Sequence, residues 1–478
     1  MNDLYDSLPS EHRDDQLALI YEGNSFNKVA VNTPVGLTER VNIKNIVTQG
    51  GVFGPLQCSN SIDTIGKKCY SKGEHLYSYK QMVQIMPLSM VDDLLAVAPC
   101  NQKSVALNSY LNAQIELKKL SFHTKDAKGK SKCHVLHVGK NSDLCPTLLV
   151  HGTDMGHVSE ETYLGDVISN DGRNTKNINS RIGKGLGKIT EIMNMLEKVS
   201  LGHEYFKIAL LLRESIFLNS ILTNADIWYG LDKTEIKRLE DLDLSLLRKF
   251  LNVPCTVPAE GVYLELGCLN IETILKARRL VYLHYLLKQE ESSMVYKVFI
   301  TQWKYPASKN EWTEQVKIDL NDFGFSEDLS EVRTVSANSF KNCVKKKAKE
   351  YAFYSYLQKT EGKSKFENLF YRDLKMANYL NNEEISHTDA QLMFNFRLRM
   401  ANFGENFRGK GGPSICPLCQ SHVDSQKYSF QCRIVKENVL IEGNYSNLFS
   451  EKISLKTVKT LVDINKFRSE YINQRRVQ

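Results

Sequence analysis

Along the chain the apolar positions change rhythm once, near residue 172. Before it they come in short runs rich in β-branched residues, separated by turn residues, the pattern of short strands. Residues 28–48 (KVAVNTPVGLTERVNIKNIVT) predict two short strands around the Thr33-Pro34-Val35-Gly36 turn. Residues 76–100 predict a hairpin: LYSYKQMVQI and MPLSM lead into Val91-Asp92-Asp93, and LLAVA leaves it. A helix over about 103–119 puts Val105, Leu107, Leu111 and Ile115 on one side, and 132–138 and 147–152 read as strands. The first 30 residues predict a short helix with Leu17, Leu19, Ile20 and Tyr21 as its apolar side. After Asp171-Gly172 the apolar steps become three and four, the period of a helix. Ile178, Ile182, Leu186, Ile189, Met193, Leu196 and Val199 predict a helix over 178–199. Others follow over about 204–225, 234–251 and 271–288, the last with Leu280, Leu283 and Leu287. The stretch 290–385 is helical and more charged, with the run Lys345-Lys346-Lys347, and Gly411-Gly412-Pro413 breaks the chain before a cysteine cluster. There is no internal repeat and no low-complexity tract. The fold class is therefore α+β. A small β-sheet with helices fills 1–171, helices fill 172–290, a helical basic stretch 291–410 and a cysteine-bearing region 411–478.

Composition narrows the partners. With 478 residues, 42% of them hydrophobic, the chain can build real cores, which excludes a wholly disordered protein. Lys and Arg exceed Asp and Glu by 62 to 55, a net charge of +7 that permits an anionic or nucleic-acid partner without demanding one. No run approaches the ~18 apolar residues of a membrane span. The best stretch, 208–222, is broken by Arg213 and Glu214. The start, MNDLYDSLPSEHRDD, is polar and acidic and is no signal peptide. Eleven scattered cysteines then imply reduced thiols inside a cell, with cytoplasm and nucleus both open.

Four groups of residues carry candidate chemistry. Asp92-Asp93 sits between the apolar runs ending in Met90-Val91 and beginning at Leu94-Leu95. Adjacent carboxylates repel, and a divalent cation relieves them; the bland alternative is a solvated turn. Gln49-Gly50-Gly51-Val52-Phe53-Gly54-Pro55-Leu56 is either a plain glycine turn or a backbone that comes close to a ligand. Arg181, Lys184 and Lys188 form a basic stripe interleaved with Gly183, Gly185 and Gly187, as a phosphate backbone in close approach would require; the alternative is a solvated helix face. Lys276, Arg278 and Arg279 form a lesser patch. Cys416 and Cys419, two residues apart, with Cys432 further on, are three ligands of a zinc site. His422 is the nearby fourth donor, while the phenol of Tyr428 is a poor ligand for structural zinc; a degenerate site with free thiols is the alternative. Cys133, His134, His137 and Cys145 are a decoy, because His134 and His137 would point to opposite faces of a strand. His284 reads as a satisfied core histidine.

Taken in order, AVNTPVGLTERV, QGGVFGPLQCS, DTIGK, MVDDLLAV, KCHVLHVGK and YLGD resemble the reverse transcriptases of non-LTR (LINE-type) retrotransposons, over residues 1 to about 435. The resemblance implies that Gln49 and Gly50 shape the template and nucleotide pocket. It implies that Asp92 and Asp93 are the catalytic pair, with Asp92 on Mg²⁺, and that Lys132 sits near the incoming triphosphate. Tyr163-Leu164-Gly165 would be the primer-grip hairpin, 172–290 a helical thumb, and Cys416, Cys419, His422 and Cys432 a zinc knuckle. Met90 stands where many members have an aromatic residue. The implied partners are an RNA template and a DNA primer, or their hybrid, with no membrane. The family's earlier aspartate strand has no counterpart before residue 49, since Asp14-Asp15 lies in a polar stretch. The expectation is therefore the C-terminal portion of such an enzyme, a partial palm followed by a helical thumb and a cysteine knuckle, with half the carboxylate set and impaired polymerase activity. A non-catalytic RNA- or DNA-binding protein derived from a retroelement, or a remnant without function, are the rival readings.

Overall fold

The computed structural model describes residues 28–30, 32–33, 36–39, 41–42, 65, 68, 77–90, 93–99, 101–117, 122, 124–125, 129, 131–139, 145–407, 415–450 and 453–477. The chain is mixed α and β and mostly helical. The strands are β1 (Lys28–Val29), β2 (Asn32–Thr33), β3 (Gly36–Leu37), β4 (Val41–Asn42), β5 (Tyr77–Tyr79), β6 (Val83–Ile85), β7 (Leu88–Met90), β8 (Asp93–Leu95), β9 (Val135–Leu136), β10 (Leu149–Val150), β11 (Thr153–Asp154), β12 (His157–Val158), β13 (Glu160–Tyr163) and β14 (Asp166–Ser169). The helices are α1 (Gln102–Leu117), α2 (Thr175–Glu197), α3 (Tyr205–Leu212), α4 (Lys233–Leu251), α5 (Ala259–Leu266), α6 (Ile271–Leu287), α7 (Met294–Lys304), α8 (Trp312–Asp322), α9 (Leu329–Thr334), α10 (Ala337–Thr360), α11 (His387–Arg397), α12 (Gln426–Ser429), α13 (Arg433–Asn438) and α14 (Leu455–Val477). The short helix expected within the first 30 residues and the Gly411-Gly412-Pro413 break lie outside the described residues. No helix among the described residues is long and apolar enough to cross a membrane.

The chain forms two compact units. The first holds residues 1–163, 168–173 and 290–305; the second holds 164–167, 174–289 and 306–478. In the first, strands pair two by two, and no larger sheet forms among the described residues. β1 pairs antiparallel with β4 around the inner β2–β3 hairpin, where the sequence predicted strands about a turn. β5 and β6 are joined by the three residues Lys80, Gln81 and Met82, the first two in the left-handed region (φ 49° and 60°). α1 buries Leu107, Leu111 and Ile115, and with Ile65 these make this unit's own core. Leu94 of β8 packs onto that cluster.

The second unit has one large core that runs from Ile178 in α2 to Ile464 in α14. The helix-and-cysteine regions that look separate in sequence share this interior. The helix expected over 204–225 is segmented: α3 passes through a π turn at Arg213–Leu218 before Asn219–Ile221. A π turn inserts one residue into the helical repeat. Here it accompanies Arg213 lying buried on Asp243, with Nε–Oδ1 and Nη2–Oδ2 both 2.7 Å. α4 begins with a capping box, in which the Asp232 carboxylate accepts from the Glu235 N–H and Glu235 accepts from the Asp232 N–H. His284 is buried with Nε2 2.8 Å from the Val335 carbonyl oxygen, the satisfied core histidine the sequence suggested.

α2 buries most of the predicted side, with Ile178, Ile189 and Leu196 buried and Ile182 and Met193 packed against the core. Leu186 and Val199, placed on the apolar side by their spacing, are each 56% exposed. The buried stripe is Ile178, Arg181, Gly185, Ile189, Ile192 and Leu196. Two of its six positions are a cation and a glycine, which hydrophobicity alone does not mark.

Candidate metal centre and aspartate hairpin

In the first unit, β7 and β8 pair antiparallel with Met90 opposite Asp93. Asp92, Gln49 and Gly50 lie outside the described residues. Asp93 is exposed at the head of β8, and the ring-lacking Met90 beside it is 55% exposed. Leu94 anchors one face of the strand on the α1 cluster. Tyr163, at the end of β13, is half-buried. Burial raises the pKa of its phenol, and the negative charge of Asp93 raises it further. Two motifs about seventy residues apart in sequence are thus close enough to feel one another's charge. Lys132 is exposed, and its backbone N–H donates to the Thr124 carbonyl at 2.9 Å.

The turn Leu164-Gly165 belongs to the second unit. Both residues are left-handed, at φ 47° and 89°. Such a conformation is unusual for leucine and persists only when its surroundings hold it. Asn224 donates to the Leu164 carbonyl at 3.0 Å and to Asp166 Oδ2 at 2.8 Å. Asp166 Oδ1 in turn accepts from Arg181 at 2.6 Å and from Asn177 at 3.1 Å. Arg181 also lies 5.9 Å from the centroid of the Trp228 ring and donates to the Ser220 and Thr223 carbonyls.

This corrects the basic stripe. Arg181 is only 2% exposed, and its guanidinium is spent on Asp166 and two carbonyls, so it does not face a phosphate backbone. Lys184 is exposed, and Lys188 forms a 2.6 Å ion pair with Glu191. Gly185 is explained by packing against α4, not by a ligand: a methyl there would come within 2.6 Å of Leu242 and 2.8 Å of Ile221. The lesser patch dissolves likewise. Lys276 is buried against Asp322 (2.5 Å), Arg279 against Asp319 (2.6 Å), and Arg278 donates to the Leu222 carbonyl at 2.6 Å.

The cysteine cluster does assemble. The sulfurs of Cys416, Cys419 and Cys432 all lie within 4.8 Å of one another and could hold a metal such as zinc. The local chain explains why. Ile415 and Val423 form an isolated antiparallel bridge, and the Cys416 N–H donates to the His422 carbonyl at 2.7 Å. Gln420, at φ 54°, turns the chain back so that its N–H reaches the Cys416 carbonyl at 2.9 Å. Cys432 is delivered by α12 and sits at the head of α13, its N–H on the Tyr428 carbonyl at 2.8 Å. Cys416 and Cys432 are buried, and with Leu418 and Phe430 they join the unit's core.

His422 does not join the three sulfurs as a ligand atom. Its ring stacks on Tyr428, with centroids 4.5 Å apart at 17°. Its Nδ1 is 2.9 Å from the Tyr428 hydroxyl and 3.0 Å from that of Ser421. The phenol oxygen faces the cluster instead, 3.4 Å from Cys419 Sγ. Burial disfavours charge on Cys419, but hydrogen bonds from Ser421, Tyr428 and His422 outweigh it and bring its thiol down to about 5. Burial pushes Cys432 up to about 11. The hydrogen bond to Cys419, with burial second, pushes the Tyr428 phenol well above its ordinary value. Three thiols suit zinc, and a high-pKa phenol is a poor fourth donor.

Sequence reasoning missed the groups behind the cluster. Asp424 is buried and accepts from Arg468 of α14 and from the Gly404 N–H, each at 2.7 Å. Arg468 also stacks over Phe403, 4.4 Å from its centroid. A lone Asp two residues after His422 gave no signal of this. The decoy cluster forms no metal group among the described residues: His134 pairs with Glu161, and His137 Nδ1 is 2.8 Å from Cys145 Sγ. Cys145 is disulfide-bonded, an exception to the expectation of reduced thiols. A scan against protein families finds none that matches this chain, and a search of curated proteins finds no match either.

Proposed function

We propose that the chain is part of an RNA-directed DNA polymerase of the non-LTR retrotransposon type, holding a primer–template hybrid at the Asp92-Asp93 hairpin. The observation that carries this reading is the meeting of two motifs. The tight β7–β8 hairpin presents Asp93, and Tyr163 of the primer-grip motif lies within its field. The order of motifs along the sequence supports it as well.

Mg²⁺ is the metal such chemistry uses, to ionise a primer 3′-hydroxyl and to stabilise leaving pyrophosphate. A two-metal site needs further carboxylates to bridge its ions. On this reading Asp92 and Asp93 supply one arm of the site, and the family's earlier aspartate motif has no counterpart before residue 49, so primer extension is expected to be impaired. The cysteine cluster fits zinc by its donors and serves as a structural knuckle.

The test is fluorescence anisotropy of an RNA–DNA primer–template with and without Mg²⁺ or Mn²⁺, beside a primer-extension assay. Binding strengthened by the divalent ion is expected, and Asp92→Asn with Asp93→Asn should remove only that increment. A parent chain whose hybrid binding ignores divalent ions would overturn the reading. Robust extension abolished by Asp92→Asn would overturn the claim of an incomplete carboxylate set.

A further inference from the structure

Helix α10 has one face committed and one face open. Phe340, Val344, Ala348, Ala352, Phe353 and Tyr356 are buried in the second unit. The opposite face carries charge of nearly one sign. The helix holds six lysines against one glutamate, a net +5 within a chain whose total is +7. Lys341, Lys345 and Lys349 are exposed and follow one another at steps of four, on successive turns. None has an acidic partner within salt-bridge distance among the described residues. Lys346, in the adjacent row, is 79% exposed and reaches Glu350 only at 3.9 Å.

This arrangement is unfavourable in the free protein. Lys341–Lys345 and Lys345–Lys349 are like-charge pairs at the spacing where side chains meet. No acidic residue in the first turn neutralises the positive end of the helix. Arg213, Arg279, Arg397 and Arg468 elsewhere in the same unit each lie buried on a carboxylate. Lys341, Lys345 and Lys349, by contrast, are exposed with no carboxylate within salt-bridge distance among the described residues. One further feature selects among polyanions. Tyr354 follows Glu350 in the Lys346 row, and its ring is 68% exposed. An exposed ring beside a lysine track offers stacking to bases. An anionic membrane surface fits less well, because the apolar face that would enter it is already buried in the core.

We propose that the solvent face of α10 binds single-stranded nucleic acid, with Lys341, Lys345 and Lys349 on the phosphate backbone and Tyr354 stacking on a base. This surface is additional to the hybrid site proposed above and does not depend on it.

The test uses the full chain and a short, unstructured, fluorescein-labelled RNA of mixed sequence, titrated by anisotropy across a salt series. Three lost phosphate contacts at about 0.7 each should lower the log–log salt slope by about 2, which is roughly 100-fold in affinity near 0.1 M salt. The variant is Lys341→Gln, Lys345→Gln, Lys349→Gln combined. Its thermal unfolding should be unchanged or raised, because like charges are removed, so a loss of binding is not a loss of fold. Tyr354→Ala should weaken binding roughly 5- to 100-fold with the salt slope unchanged. The divalent-dependent increment in hybrid binding should survive the triple variant, which separates this surface from the Asp92-Asp93 site. A parent that does not bind the RNA, or a triple variant with unchanged affinity and slope, overturns the proposal. So does tighter binding to phosphatidylserine vesicles than to RNA, abolished by the same three substitutions.

Discussion

Gly185 provides the sharpest test of how α2 is held. Replacing it with alanine adds one methyl, whose carbon would lie 2.6 Å from Leu242 Cδ2, 2.8 Å from Ile221 Cγ2 and 3.5 Å from Phe217 Cε2. Carbon atoms in contact prefer about 3.5–4.0 Å, so two of these approaches overlap by roughly 1 Å. Ile221 and Phe217 are fully buried and Leu242 is 6% exposed, so none can swing into solvent. Overpacking of this kind costs about 1–3 kcal/mol. Alanine returns about 1 kcal/mol of helix propensity. The net expectation for Gly185→Ala is a loss of roughly 0–2 kcal/mol. Gly183 and Gly187 have nothing within 4 Å of an added Cβ, so alanine there should stabilise by up to about 1 kcal/mol. The quantity to measure is the difference between the variants, about 1–3 kcal/mol, read from urea unfolding of the helical signal at constant slope. If Gly185→Ala proves as stable as Gly183→Ala, the close approach of α2 to α4 is not what selects glycine.

Two other expectations follow from the same geometry. Arg181→Ala strands Asp166 in a site where the pair is mostly buried, and should destabilise by about 3–5 kcal/mol, whereas Lys184→Ala should stay within about 0.5 kcal/mol; equal effects in denaturant titrations would refute the buried pairing. After dialysis against a graded chelator series, the parent should hold zinc more weakly than Tyr428→His, and His422→Ala should stay close to the parent because that imidazole stacks on the phenol and is not one of the three gathered ligand groups; loss of zinc on His422→Ala would make His422 the fourth ligand.

The parts of the fold legible in sequence are those where side-chain period and burial coincide. α4 and α6 lie where their leucines predict them, and β7 and β8 pair as an antiparallel hairpin with Met90 opposite Asp93. The failures share a cause. Arg181, Lys276 and Arg279 read as surface cations because their partners, Asp166, Asp322 and Asp319, sit many residues away along the chain. Charge spacing on one helix reports which residues share a face, and tertiary contacts decide whether that face meets water. Gly185 misled in the same way, since a glycine signals close approach without naming what approaches. Lys345 and Lys349 look no more suggestive in sequence than Arg181, and the structure reverses their ranking.

The knuckle shows a second limit of motif reading. Spacing brings Cys416, Cys419 and Cys432 together, but it cannot say how the site behaves with a phenol at the fourth corner. In this arrangement Cys419 already has hydrogen-bond partners in Ser421, Tyr428 and His422, which favour its thiolate in the protein on its own. The buried sulfurs of Cys416 and Cys432 pack as small apolar groups in the core. The chain around the cluster is also held by contacts of its own, the Ile415–Val423 bridge, the Asp424–Arg468 pair and the α12–α13 turn. Zinc binding would add to that framework and would have to weaken the Tyr428–Cys419 hydrogen bond as it drew the sulfur toward the ion. A histidine at 428 removes that competition and supplies a donor that is neutral near pH 7. The same substitution thus changes both sides of the equilibrium, the stability of the metal-free thiolate and the completeness of the bound tetrahedron, and both changes favour the metal.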